Sequence, residues 1–112
     1  MKKILPILLY AAAFTSANAA EVKVAAVTFV SQSNQQESNI AAIVRDANVA
    51  AKHGAKLIVF PEEASNALAE PDSIPGKLTA ALTTVAQQYH VYIVSGLQEK
   101  DQKTGLMYNS AI

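Results

Sequence analysis

Gly54-Ala55-Lys56-Leu57-Ile58-Val59-Phe60-Pro61-Glu62-Glu63 is the stretch from which this chain is best read. Residues 57–60 are an unbroken apolar run, the pattern of a strand buried on both faces. Pro61 fixes its own φ and has no N–H for a ladder, so the strand ends there. Glu62 is thereby delivered to the carboxyl end of a strand, where α/β sheets usually bind their ligands. A carboxylate held there, half desolvated, suits the work of a general base. The bland alternative is a solvated loop glutamate. Glu63 invites a second comparison, with the paired carboxylates of glycosidases. Adjacent residues of an extended segment point opposite ways, so the two do not face one substrate.

Upstream, residues 22–30 (VKVAAVTFV) are β-branched and apolar, with Val22, Val24, Ala26 and Thr28 on one face, and predict a strand. Ser33 or Asn34 offers an N-cap for a helix reaching His53. Its apolar stripe is Ile40, Ile43, Val44, Ala47 and Ala51, and Gly54 ends it as a left-handed cap. Downstream, a loop rich in Ala, Pro, Asp and Ser spans 63–76. Helical spacing returns over 77–89 in Leu78, Ala81, Leu82, Val85 and Ala86. A second buried strand follows at 91–96, then a polar turn at 99–105 and a further strand from 106. The order β-α-β-α-β-β predicts an α/β fold, with a mixed sheet and its helices on one face. Two helices cover only one side of a sheet, so the other face needs cover from further sequence or a second sheet.

Half of the 112 residues are hydrophobic and 16% are charged, a composition that excludes a disordered chain. The formal net charge of zero lacks the basic excess of a nucleic-acid binder. At the N-terminus, Lys2 and Lys3 precede an apolar run at 4–14 and small residues ending in Ala17-Asn18-Ala19. Residues 1–19 therefore read as a signal peptide, and the mature protein as exported, periplasmic or secreted, and not held in a membrane. A membrane anchor is disfavoured because the run is about half of the ~20 residues a span needs, and Pro6 interrupts it. The sequence contains no Cys, which excludes lipid attachment at the cleavage site and any disulfide staple.

The segment at 54–62 resembles the G-A-[DK]-L-[IV]-V-F-P-E signature of the nitrilase superfamily, the carbon–nitrogen hydrolases. Other stretches agree in order and spacing: Val22-Lys23-Val24-Ala25-Ala26-Val27 with the first strand, and Asn39-Ile40 with an N-[LI] pair. Residues 91–100 followed by Tyr108-Asn109-Ser110-Ala111 are similar to a strand pair ending in Y-N-S-A. The resemblance covers 22–112, read as an incomplete carbon–nitrogen hydrolase domain, and implies the N-terminal part of an α-β-β-α sandwich. It implies hydrolysis of a non-peptide C–N bond in a small amide, carbamoyl compound or nitrile by a Glu-Lys-Cys triad, with no cofactor and no metal. Glu62 matches the general base. The nucleophilic Cys and the catalytic Lys have no counterpart in these residues, so the 112 residues alone are expected to be inactive and to be a fragment of a longer protein. Lys100 and Lys103 precede the Y-N-S-A strand and do not match the catalytic Lys. Glu63 and Asn109 are candidates for supporting the base from behind. Family members often form homo-oligomers, an assembly open to this chain too.

The remaining polar residues read as structural. His53, at a helix end, and His90, before a strand, lack metal-ligand spacing. Tyr108 is expected in the core. The loop at 64–76, with Pro71 and Pro75, matches in position a variable loop near the site mouth of the family it resembles, and that resemblance implies a part in substrate choice. Two rivals stand beside the hydrolase: a non-catalytic binding or regulatory remnant with a nitrilase-like half-fold, and an unrelated flavodoxin-like binding module.

Overall fold

The computed structural model describes residues 20–62, 64–65 and 71–112. The expected signal peptide, Glu63 and part of the candidate substrate loop lie outside the described residues. Elements follow in the order β1 (Val24–Ala26), α1 (Gln36–Lys52), β2 (Leu57–Val59), α2 (Lys77–Tyr89), β3 (Tyr92–Val94), β4 (Gly96–Lys100) and β5 (Met107–Ala111). Strands β1, β2 and β3 form a parallel sheet in that order, while β4 and β5 form an antiparallel hairpin. Ser95 and Ile112 exchange two 3.0 Å backbone bonds, which carry the hairpin ladder back to the end of β3.

Two strand–helix–strand units that step the same way across a sheet put both helices on one side, because such crossovers share one hand. Helices α1 and α2 accordingly pack on each other and on one face of the sheet. The row Ala25, Ile58 and Ile93, in register across the three strands, lies beneath them. Ile58 at its centre is fully buried, with Ile43, Ala47, Leu78, Leu82 and Val85 in the same core. Burying each large aliphatic side chain contributes about 1.5–3 kcal/mol.

The opposite face corrects the reading of strands buried on both sides. Val24, Tyr92 and Val94 alternate onto it and are 55%, 79% and 39% exposed. The first strand is also shorter than the 22–30 expected. Its partner offers only Leu57–Val59 before the chain turns at Pro61, so pairing stops after the Val27 N–H bond to the Val59 carbonyl (2.8 Å). Side-chain alternation outlasts the ladder: Val27 and Phe29 are half-buried against the core, and Thr28 and Val30 are exposed.

Helix α1 starts without the Ser33 or Asn34 cap that the sequence suggests. Its N-cap is Gln35, which makes no side-chain cap bond, and Asn34 takes a left-handed φ of 56°. A clasp from inside the helix fixes the approach instead. The buried Asn39 side chain accepts from the Gln32 N–H (2.9 Å) and donates to the Gln32 carbonyl (2.8 Å). Asn39→Ala leaves both groups of Gln32 without this partner, and should lower the unfolding free energy by about 1–3 kcal/mol in urea titration. At the other end Gly54 is left-handed (φ 87°), as expected, and Ala55 N–H reaches back to the Ala50 carbonyl. Lys23 clips this corner to the sheet, its Nζ donating to the His53 carbonyl at 3.0 Å.

Helix α2 begins after Gly76, which has no side chain to cap with. The cap comes from Asp72, whose carboxylate accepts from the N–H groups of Ser73, Lys77 and Leu78 at 2.8, 3.1 and 2.8 Å. The approach is so close that a Cβ at residue 76 would run into that carboxylate and the Ser73 carbonyl. Backbone bonds from Asp72 N–H to the Gln98 carbonyl (3.0 Å) and from Lys100 N–H to the Asp72 carbonyl (2.8 Å) also lay residue 72 along β4.

The hairpin pairs Gly96 with Ala111, Gln98 with Asn109 and Lys100 with Met107. Leu97 is fully buried beneath it. Tyr108 is 46% exposed, which corrects its assignment to the core: it shares the face of Leu97 but stands opposite Glu99, toward the exposed turn end of the ladder, where that cover has run out. The connecting turn is organised by Asp101, whose Oδ1 accepts from the N–H groups of Lys103 and Thr104, both at 2.7 Å. Gly105 completes it at φ 70°. The Thr104 N–H, then that of Lys103, hold the Asp101 carboxyl below its ordinary pKa. A carboxylate so depressed stabilises the turn fully above the ordinary aspartate range, and its contribution is lost as pH falls through the lowered value. The amide resonances of Lys103 and Thr104 should therefore titrate together with a midpoint below that of a free aspartate, and Asp101→Asn should remove the titration. A midpoint at or above the ordinary range would exclude this role.

Candidate active site

Glu62 lies where the sequence places it, immediately beyond the carboxyl end of β2. Phe60 N–H still bonds the Val94 carbonyl (2.8 Å), one residue past the strand, and its side chain is buried. Pro61 then withholds a donor and the chain leaves the sheet. It returns at once, for Ala64 and Ser65 are buried and the Ala64 N–H reaches the Gly96 carbonyl at 3.3 Å. Glu62 thus sits on a short turn pinned on both sides, with its own side chain exposed. The expected half-desolvation is not met within this chain, because the sheet face and hairpin around the carboxylate have no further layer over them among the described residues.

The carboxylate has a partner 47 residues away: the Asn109 amide donates to Glu62 Oε1. Asn109 is on β5, and its neighbour Ser110 faces the other way, where its hydroxyl donates to Glu99 Oε2 at 2.6 Å. Alternation along one strand therefore separates an amide for Glu62 from a hydroxyl for Glu99. Of the expected site residues, the structure brings Glu62 and Asn109 together. Lys100 sits at the outer end of β4 opposite Met107, and Lys103 in the turn beyond it. His53 closes α1, its Nδ1 2.8 Å from the Val49 carbonyl, and His90 closes α2 in a left-handed conformation (φ 51°). Among the described residues no group of three His, Asp or Glu side chains could hold a metal ion, and no helix is long and apolar enough to cross a membrane. Asp72, which joins the start of α2 to β4, escaped sequence reasoning. Its signal was an Asp five residues ahead of the helix, too far for the usual capping pattern.

A profile of the carbon-nitrogen hydrolase family matches residues 23–112, from the first strand through the hairpin. This chain belongs to the carbon–nitrogen hydrolase family. The architecture agrees. The crystal structure of Saccharomyces cerevisiae Nit3, described as a member of branch 10 of the nitrilase superfamily, superposes with a TM-score of 0.69 over 81% of this chain at 24% identity. The match spans 38% of Nit3, so this carbon–nitrogen hydrolase chain corresponds to well under half of that neighbour's length. A search of curated proteins by sequence returns no match. The nitrilase-like α/β fold and the family are thereby established for the carbon–nitrogen hydrolase chain, with Glu62 inside the matched region.

Proposed function

We propose that the protein hydrolyses a non-peptide C–N bond in a small amide, carbamoyl compound or nitrile, with Glu62 as its general base. The observation that carries this reading is the position of Glu62, directly after the proline that ends β2, inside the region matched to the family. The nucleophile would be a cysteine, a residue these 112 lack, and the oxyanion partner a lysine that none of the lysines present matches in the family pattern, so both would come from further sequence. Glu62 would take the thiol proton as sulfur attacks the carbonyl or nitrile carbon. The lysine would balance the negative charge that gathers on the substrate oxygen or nitrogen. For an amide, the proton held by Glu62 passes to the departing amine, which leaves an acyl-thioester. Water then attacks that ester, with Glu62 again the proton acceptor, and frees the thiol.

The absence of Cys also favours one other reading, a non-catalytic remnant that keeps the half-fold for binding or regulation. The two separate in one experiment: expression of the complete open reading frame and measurement of ammonia release from a panel of short aliphatic amides, carbamoyl amino acids and nitriles. Turnover that thiol alkylation abolishes supports the hydrolase. A reading frame that ends without encoding a thiol, or a full-length product inert on every substrate, supports the remnant.

A further inference from the structure

We propose that Asn109 is a positioning residue that orients the Glu62 carboxylate, holding Oε1 and leaving Oε2 as the oxygen that receives the proton. The inference rests on Glu62 being the general base. An exposed glutamate has three rotatable side-chain bonds, and an exposed position by itself selects no one arrangement of them. The amide of Asn109 supplies that selection through its bond to Oε1. An amide suits this role because it donates a hydrogen bond, carries no charge and does not titrate. A lysine or arginine at this place would orient the carboxylate and also neutralise it.

The backbone shows why the two side chains meet. Gly96 accepts from the Ala64 N–H on one side and pairs with Ala111 on the other. Glu62 stands two residues before Ala64, and Asn109 two residues before Ala111. Both side chains are therefore measured from one point, the start of β4. Asn109 is further held by its pairing with Gln98 and by the Ser110–Glu99 bond next to it.

The test uses the full-length enzyme and compares Asn109→Ala, Asn109→Asp and Glu62→Gln. Misplacing a reacting group by about 1 Å costs on the order of 100-fold. Asn109→Ala should thus lower kcat roughly 10- to 100-fold, with KM and the urea midpoint unchanged. Asn109→Asp sets a second carboxylate against Glu62, so the acid limb of its kcat/KM profile should move to higher pH. Unchanged kcat and pH profile in both variants, with Glu62→Gln inactive, overturns the positioning role and leaves the general base standing. Loss of activity only in step with loss of folded protein makes Asn109 structural and also overturns it. Full activity in Glu62→Gln overturns the base itself.

Discussion

In the full-length protein, Glu62→Gln should reduce kcat by about 100- to 10,000-fold or more while the circular dichroism spectrum and urea midpoint stay as they were. General-base catalysis is worth that factor, and loss of the base also removes the route to the thiolate. Glutamine keeps the size of the side chain, and its carbonyl oxygen can still accept from Asn109, so the turn between Phe60 and Ala64 has no reason to move. The residue is exposed, which keeps the folding cost of the change small. Steady-state kinetics on the best substrate of the panel, with stability measured on the same preparation, decides the matter. Activity within threefold of the parent would remove Glu62 from the mechanism.

The second large effect concerns stability. Ile58→Ala should lower the unfolding free energy by about 2–5 kcal/mol, the range for truncating a fully buried aliphatic side chain. Ile58 is the middle residue of the middle parallel strand, with no exposed surface, between the two helices and the sheet. It shares one core with Ile43 and Ala47 of α1 and Leu78, Leu82 and Val85 of α2, and the two helices pack on each other, which limits how far the core can close on the vacated volume. Against a typical domain stability of about 5–15 kcal/mol the loss is severe. Tyr92→Ala gives the contrast. Its partner in register is Leu57, on the opposite face, and it is 79% exposed. In the polypeptide of residues 20–112 its cost should be within about 0.5 kcal/mol, the ordinary value for a surface site. Equal costs for the two substitutions would contradict a sheet covered on one face only.

How far the sequence could be read depended on whether the deciding interaction was local. Helix α2 was legible to the residue because Leu78, Leu82 and Val85 recur at helical spacing between Gly76 and the left-handed His90. Gly54 was legible for the same reason, since a helix stop needs nothing beyond its own backbone. Strand length was not. Residues 22–30 are β-branched throughout, but the three residues that β2 offers set the ladder. The α1 cap was misread because Asn39, a turn into the helix, takes over the work that Ser33 or Asn34 would do. Tyr108 was misplaced because alternation sets it on the same face as the buried Leu97 but cannot tell how far along the hairpin the cover extends. At the site, Glu62 was legible from the proline before it. The Asn109 partnership was not, since it depends on how β4 and β5 are aligned.

That alignment admits a single solution. Sliding β5 by one residue against β4 would bring Tyr108 or Ser110 opposite Gln98 and turn the amide to the far side of the ladder. Sliding it by two would restore the side but carry the amide about 7 Å along the strand, twice the reach of a hydrogen bond. The Asp101 turn therefore sets where a distant carboxylate is gripped, and insertions or deletions there that shift the alignment should be felt first as lost turnover, before any loss of folding.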